Sequence, residues 1–428
     1  MTTLLWACSN AGGPGMGDDD GGDDDGGGCI CGDADGCCPS VCELTHDPDC
    51  PAPACVGVGE DIREARTINP PPNGNGVHGF NAAYADGEYG VTWYGRFDAA
   101  YFARADAEGE LVPGSIVHLQ RGGLFPRIAY NGERYGVVYS VEDPDAPDPF
   151  IDREVHFALL EPDGTLVAGS PRRILGPGEL ESPALAWNPA ARQWAVVWED
   201  EAENRVGFVR LDDTGAVVAG SEGRLDSGTG IAYLSSSGPT TPILWSRDAW
   251  VVTWAADTGA AGTVSLGRLG PNGNVQSVSS VDTVEQPFHP AAVWTGDAFA
   301  VTWTEYDTAA DRFAVQYALA DGDATFGAAH GAWLHDAGHA MGGTATWDGA
   351  RINAVWWSEL SGDNDIWLAR LWKTGTVDEQ LQLTDLFTDA WAPSMIWDGC
   401  QHVVSYQVGA DGSEGRLLFI PAAAIEIL

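Results

Sequence analysis

The sequence predicts an all-β fold, a seven-bladed β-propeller of four-stranded blades, from three observations. Seven segments share one pattern: a short apolar strand ends in an aromatic residue, a turn follows, and a second alternating strand ends in another aromatic. A helical period is not sustained in any segment. The aromatics that end the first strands recur every 46 to 58 residues, at Tyr84, Tyr130, Trp187, Trp245, Trp294, Trp347 and Trp397.

A second hairpin follows the first in each unit, as in VGFVRLDDTGAVVAG, and completes four strands. Asn-Gly and Asp-Gly pairs at the turns supply positive φ at little cost. We interpret the repeating aromatics as packing between blades rather than as a sugar-stacking platform. Recurring arginines on the third strands are interpreted as structural ion partners: Arg104, Arg210, Arg268 and Arg370.

Ring closure is predicted from the two ends of the repeat. The seventh unit has three strands and then a short end, whereas residues 62–68, IREARTI, precede the first unit. We expect 62–68 to supply the outer strand of the seventh blade and so to clasp the ring.

Composition limits the partners of the protein. The chain has 428 residues, one lysine and a formal net charge of −41. It lacks the basic stripe that nucleic-acid binding needs, which excludes that partner. Polyanionic sugars and anionic lipids are repelled unless a divalent cation bridges them. No apolar run reaches the roughly 18 residues of a membrane span.

Cysteines are concentrated in one short segment, at Cys29, Cys31, Cys37, Cys38, Cys42, Cys50 and Cys55. Dense, irregular spacing indicates a disulfide framework in an oxidising compartment and therefore an exported protein. A zinc site is the alternative, but it favours Cys-x-x-Cys pairs, which this segment does not show. We expect a disulfide from the segment, with Cys55 as the partner, to Cys400, because both lie toward the same face of the predicted ring.

The first residues of the chain contain a short motif that ends in a cysteine. Leu5-Trp6-Ala7-Cys8 resembles the lipobox of bacterial lipoproteins, whose cysteine carries a diacylglycerol. The resemblance implies lipidation at Cys8 and an outer-membrane or cell-surface location, with a longer signal before residue 1. The segment 29–55 looks like the small cysteine-rich motifs of secreted proteins from large GC-rich bacterial genomes.

The chain is therefore divided into four parts. Residues 1–8 are the end of a lipoprotein signal, and residues 9–28 are a Gly/Asp-rich tether that cannot bury a core. Residues 29–55 form a disulfide-rich stalk, and residues 56–428 form the propeller. Propellers host many unrelated functions, so location and fold are all that this organisation implies.

Candidate ligand-binding residues lie where the repeat is broken. The loops between second and third strands share one face and are acidic, and the long loop 226–242 carries one tyrosine that we expect near the central funnel. The candidates are Tyr233, Asp143, Asp145, Asp200, Glu305, Asp307, Asp363 and Asp365. A solvated rim is the alternative interpretation. These acidic loops make Ca²⁺ the one cofactor that the sequence suggests, although no window has EF-hand spacing.

Three histidines, His78, His289 and His339, precede or begin innermost strands by the mouth of the predicted channel. Convergent histidines can bind a transition metal, so they are the candidate metal ligands.

The expected function is binding by a lipid-anchored surface protein, with an extracellular glycan, a protein or a cation-bridged ligand as partner. The alternatives are a secreted polysaccharide hydrolase or lyase that uses carboxylates in the funnel, and a purely structural envelope component. The Gly-x-Ser-x-Gly, His-Glu-x-x-His and P-loop motifs are absent from the sequence, which disfavours several enzyme classes.

Overall fold

The structure is a computed structural model of the 428-residue chain. It describes residues 55, 58, 61–68, 76–95, 99–142, 152–225, 231–234, 241–257, 261–308, 310–327, 332–335, 339–359, 363–385, 388–409 and 412–422. Seven antiparallel sheets form seven blades, and the first strand of each blade contacts the first strands of both neighbours, so that the ring closes. The predicted fold class is confirmed.

The strands of the first four blades follow, from the inner to the outer strand. Blade 1 contains β2 (His78–Ala85), β3 (Glu88–Tyr94), β4 (Ala99–Ala105) and β5 (Val117–Arg121). Blade 2 contains β6 (Gly123–Tyr130), β7 (Tyr135–Glu142), β8 (Arg153–Leu160) and β9 (Arg172–Gly178). Blade 3 contains β10 (Leu180–Asn188), β11 (Gln193–Asp200), β12 (Arg205–Asp212) and β13 (Gly223–Leu225). Blade 4 contains β14 (Ile231–Tyr233), β15 (Ile243–Ser246), β16 (Ala249–Asp257), β17 (Gly262–Leu269) and β18 (Val275–Thr283).

The other three blades follow the same order. Blade 5 contains β19 (Pro287–Trp294), β20 (Ala298–Asp307), β21 (Arg312–Asp321) and β22 (Ala332–His335). Blade 6 contains β23 (Ala340–Trp347), β24 (Ile352–Ser358), β25 (Asp365–Leu371) and β26 (Val377–Gln382). Blade 7 contains β27 (Ala390–Trp397), β28 (Gln401–Val408), β29 (Glu414–Pro421) and, as its outer strand, β1 (Arg63–Ile68).

The ring is closed in the predicted way. The segment that precedes blade 1 pairs antiparallel with the third strand of blade 7, with Arg63 opposite Phe419. A disulfide joins Cys55 to Cys400, 345 positions away, and confirms the predicted pair. The six other cysteines of the stalk and Cys8 lie outside the described residues.

The hydrophobic cores lie between neighbouring blades. The aromatic that opens the second strand of a blade packs on the third strand of the blade before it, as Tyr135 does on Phe102 at 5.2 Å and Trp194 on Phe157 at 5.7 Å between ring centroids. Trp187, one of the repeating aromatics, packs on Trp194 at 4.8 Å within its own blade. Trp245, Trp294 and Trp347 belong to cores that join two neighbouring blades, so these repeating aromatics pack between blades, as predicted.

The third-strand arginines have the predicted structural role in part. Arg104 pairs with Glu88 at 2.9 Å and Arg268 with Asp248 at 2.6 Å. Arg210 instead donates to the neutral amide oxygen of Gln193, at 2.8 Å.

A bulge recurs near the start of the inner strand in six blades. The register of the inner hairpin shifts there, and the second or third residue of the strand has positive φ. These residues are Gly79, Phe125, Ser182, His289, Gly342 and Ala392. In blade 4 the inner strand is instead divided between β14 and β15, both of which pair with β16. In these six blades the bulge rotates the first residues of the inner strand, so that their side chains do not follow the regular two-residue alternation of the rest of the strand.

Candidate functional site

The upper face is the end of the ring at which the inner strands begin and the second strands end. Partly buried aromatic side chains meet there at three blade junctions. Tyr94 lies 5.3 Å from Phe125 between blades 1 and 2, and Trp357 lies 4.8 Å from Trp391 between blades 6 and 7. Phe313 lies 6.0 Å from the ring of His339 between blades 5 and 6. We call these six residues the junction aromatics.

Strand ends place the junction aromatics on this face. Tyr94 ends β3 and is paired with His78, the first residue of β2. Trp357 near the end of β24 is paired with Met341, just before the bulge of β23. Residues at these strand ends differ from blade to blade, whereas the aromatics deeper in the blades repeat. The side chains of the upper face are therefore not determined by the repeat.

Two buried basic side chains lie at the mouth of the central channel. Arg127 is 7% exposed, and burial lowers its pKa to about 10, which leaves the guanidinium protonated at neutral pH. His289 is 3% exposed, and burial, together with the charge of Arg127, lowers its pKa to about 4. The imidazole of His289 is therefore neutral at neutral pH.

Carboxylates gather beside this mouth between blades 2 and 3. Ligand oxygens of Glu181, Glu199 and Glu201 lie within 4.8 Å of one another. Carboxylate oxygens are the ligands that Ca²⁺ takes, so these three residues are the ones that could hold it. Arg153 already supplies positive charge, because its guanidinium pairs with Glu181 and, at 3.0 Å, with Glu142. The guanidinium of Arg153 therefore already neutralises part of the negative charge of this carboxylate cluster.

Two predicted ligand-binding residues, Glu305 and Asp365, accept hydrogen bonds from neighbouring segments. Glu305 is 2% exposed and accepts hydrogen bonds from the backbone N–H groups of Val284 and Glu285, at 2.8 and 2.9 Å. Asp365 is 1% exposed and accepts a hydrogen bond from Thr384 Oγ1 at 2.8 Å. Burial and these bonds turn both carboxylates away from solvent.

The remaining predicted ligand-binding residues are dispersed. Asp200 pairs with Arg205 at 2.7 Å. Asp307 is partly buried and accepts the N–H of Ala310 at 3.0 Å, and Asp363 is exposed. Tyr233 does not lie in a loop: it ends β14, where it is paired with Ala255. Asp143 and Asp145 lie outside the described residues.

The candidate histidines have separate surroundings. His78 packs on Tyr94 at 5.4 Å, and His289 is buried beside Phe288. His339 accepts the N–H of Phe313 at 3.3 Å and lies 3.5 Å from Glu359. Among the described residues, the structure brings together the ligand atoms of Glu181, Glu199 and Glu201, but not those of the three histidines.

The lower half of the channel differs in character. A cavity of about 240 Å³ is lined there mainly by apolar side chains of blades 4 to 7. They include Leu244, Val293, Ile396, Trp294, Trp347 and Trp397. The polar and charged groups of the channel described above thus lie at the upper end.

The sequence analysis did not single out Arg127 or five of the six junction aromatics, and it considered the sixth, His339, only as a metal ligand. The signal was present, since these positions vary among otherwise similar repeats. The bulge obscured this signal in the sequence, because an inserted residue in the inner strand shifts its pairing with the second strand.

Comparisons with known proteins identify no family for this chain. No protein-family profile matches the chain, and no curated protein matches it in sequence. The β-propeller domain of the Trilobed protease from Pyrococcus furiosus is 10% identical, with a TM-score of 0.48 over 80% of this chain and 93% of that one. The acylaminoacyl peptidase of Pyrococcus horikoshii is 10% identical, with a TM-score of 0.48, and the match spans 80% of this chain but 51% of the peptidase.

A third solved structure, the sialidase of Trypanosoma rangeli, is 10% identical, with a TM-score of 0.44 over 86% of this chain and 61% of that one. No activity is carried over from any of these likenesses. Within the described residues there is also no helix long and apolar enough to cross a membrane.

Proposed function

We propose that the protein is a cell-surface binding module whose upper face holds an uncharged extracellular glycan. The observation that carries this proposal is the set of junction aromatics. Tyr94, Trp357 and Trp391 are partly buried, so each is held by its neighbours while part of the residue stays accessible to solvent. Such rings pack against the apolar C–H faces of sugars at a low cost in conformational entropy.

Charge favours a neutral glycan over an acidic one. The chain carries a formal net charge of −41, and the exposed Glu359 and Asp363 belong to the same face. Carboxylates accept hydrogen bonds from sugar hydroxyls, whereas they repel uronate or sulfate groups. An acidic polysaccharide therefore requires a bridging cation, for which the Glu181, Glu199 and Glu201 cluster offers the ligand atoms.

In this proposal the protein is exported and anchored by a lipid on Cys8, with residues 9–28 as a tether and residues 29–55 as a disulfide-rich stalk. The Cys55–Cys400 disulfide supports export, because disulfides persist in oxidising compartments. Cys400 lies in the turn after the inner strand of blade 7, which belongs to the lower face. The stalk then joins the lower face, and the upper face points away from the membrane.

The test is retention of the protein on insoluble or immobilised neutral polysaccharides, with calcium and with chelator, while newly formed sugar ends are assayed. We expect retention without product, and we expect Trp391→Ala to abolish it. Trp372→Ala is the matched control, since Trp372 is 42% exposed but lies at the opposite end of blade 6, between its third and fourth strands.

Release of new sugar ends would instead identify a hydrolase or lyase that uses the carboxylates of the channel mouth. Retention that survives Trp391→Ala, or an absence of retention on every neutral polysaccharide, overturns the proposed site. Membrane attachment is tested separately: Cys8→Ser should release the protein from the membrane fraction, and continued attachment contradicts the anchor.

A further inference from the structure

The cavity in the lower half of the channel is apolar, although the protein as a whole is strongly acidic. Its volume is about 240 Å³, and no charged side chain belongs to its described lining. Apart from backbone and indole groups, the lining offers two hydroxyls, and one of them, that of Thr346, lies 3.1 Å from Nδ1 of the buried His402. Water in such a cavity finds few partners for its hydrogen bonds, so an apolar occupant is favoured.

One segment of the chain begins beside this cavity. Residues 423–428, AAIEIL, follow Ala422 and lie outside the described residues. The N–H of Ala422 donates a hydrogen bond to the carbonyl oxygen of Cys400 at 3.4 Å. Cys400 belongs to the lower turn that connects β27 to β28, and Trp397, which ends β27, lines the cavity. Six extended residues span about 20 Å, which exceeds the roughly 7 Å across a four-residue turn, so the segment reaches the cavity.

We propose that residues 423–428 dock in the lower half of the channel and place Ile425 and Ile427 in the cavity. Successive side chains of an extended segment point to opposite sides, so the two isoleucines share one side and Glu426 takes the other. An apolar cavity of about 150 Å³ already accepts benzene, so 240 Å³ has room for two four-carbon side chains. Burial of the two isoleucines removes apolar surface from water, which drives the docking.

Charge at the rim of the cavity is complementary to this segment, whose one charged side chain is that of Glu426. Lys373, the one lysine of the chain, has its ammonium 4.9 Å from the centre of the ring of Trp347, which lines the cavity. The ammonium pairs with Asp297 at 2.8 Å, and its three donors leave it able to bind Glu426 as a second partner. The docked segment closes the lower end of the channel, so that a ligand enters the channel only from the upper face.

The first test is the reactivity of single cysteines placed in this segment of the full chain, with the unaltered chain as the background for the native cysteines. We expect the thiols of Ile425→Cys and Ile427→Cys to react with a maleimide at least about tenfold more slowly than that of Glu426→Cys, because a docked thiol reacts only when the segment leaves the cavity. In concentrated urea the three rates should become equal. Equal rates at the three positions in the folded protein would overturn the proposal.

The second test locates the docked segment with benzene, a neutral probe of apolar cavities, followed by ligand-observed NMR. The double variant Ile425→Asp/Ile427→Asp places two carboxylates where the cavity is apolar, so the segment should leave it and the variant should bind more benzene than the unaltered chain does. Val275→Asp/Val278→Asp is the matched control, because it adds the same two charges at valines that are each 48% exposed on β18, and it should behave as the unaltered chain does. If the isoleucine variant binds no more benzene than the control, the cavity is not the docking site and the proposal is overturned.

Discussion

Glu64 of the clasp strand β1 forms an ion pair with Arg416 of β29, with 2.7 Å between Oε1 and Nη1. Arg416 is 5% exposed, and its second partner is Glu414. The hydroxyl of Tyr406 in β28 also donates a hydrogen bond to Glu64. One carboxylate thus fastens the first described strand of the chain to two strands of the last blade.

Glu64→Ala is expected to lower the free energy of unfolding by about 1 to 3 kcal/mol, because Arg416 stays buried with one carboxylate fewer. Urea unfolding followed by tryptophan fluorescence measures the change. Glu133→Ala is the control, since Glu133 pairs with Arg192 at 2.9 Å on the exposed surface. That variant should lose much less stability, because ion pairs on the exposed surface contribute little. Equal losses in both variants contradict a special role for the clasp.

The Cys55–Cys400 disulfide closes a loop of 345 positions around the clasp. Because it restricts the unfolded chain, Cys400→Ser should reduce the free energy of unfolding by about 2 to 5 kcal/mol. Calorimetry or urea unfolding without reductant measures this loss. Cys55→Ser should have the same effect, and the double variant should lose no more than either single one. A double variant that is clearly less stable would show that the two sulfurs act separately.

The sequence predicts the repeat, the clasp and the disulfide because each depends on patterns that continue along the chain. Strand alternation and turn residues locate the blades, and the missing outer strand of blade 7 identifies the segment 62–68 as its replacement. The junction aromatics depend on something else. Tyr94 and Phe125 are 31 positions apart, and they meet because two blades are adjacent and each inner strand bulges.

The burial of two predicted loop carboxylates also could not be predicted from the sequence. The sequence predicts Glu305 and Asp365 in exposed acidic loops, whereas Glu305 lies in β20 and Asp365 begins β25. The structure buries both because unpaired donors of neighbouring segments need acceptors, and a carboxylate oxygen satisfies them. No sequence pattern specifies which of many acidic residues meets such donors.

Glu305→Ala follows from that observation. The variant removes the acceptor for the N–H groups of Val284 and Glu285 and for Nε1 of Trp303, which lies 3.3 Å from it. Trp303 is 1% exposed, and a buried donor without a partner costs about 1 to 3 kcal/mol, so we expect a loss of about that size in the free energy of unfolding. Asp307→Ala, at the more exposed end of β20, should cost less than about 1 kcal/mol. Faster hydrogen exchange at 284–285 in Glu305→Ala would locate the damage, and unchanged exchange there contradicts this role.

The titration of His289 predicts how stability depends on pH. Its pKa in the folded protein is about 4, against an ordinary value of 6.5, because of burial and the charge of Arg127. Between these two pH values the unfolded chain binds a proton that the folded chain does not bind. The contribution of His289 is therefore constant above pH 6.5 and falls as the pH decreases toward 4, by up to about 3 kcal/mol in total.

His289→Phe tests this contribution. Phe125 occupies the equivalent bulge in blade 2 with φ 51°, close to the 52° of His289, so phenylalanine is compatible with the local backbone. We expect this variant to lose less stability between pH 6.5 and pH 4 than the unaltered chain, as measured by urea unfolding at each pH. His118→Gln, on the exposed surface of β5, controls for the removal of a histidine. If His289→Phe and the unaltered chain lose equal stability on acidification, the acid sensitivity arises from other groups and the imidazole of His289 is not buried in its neutral form.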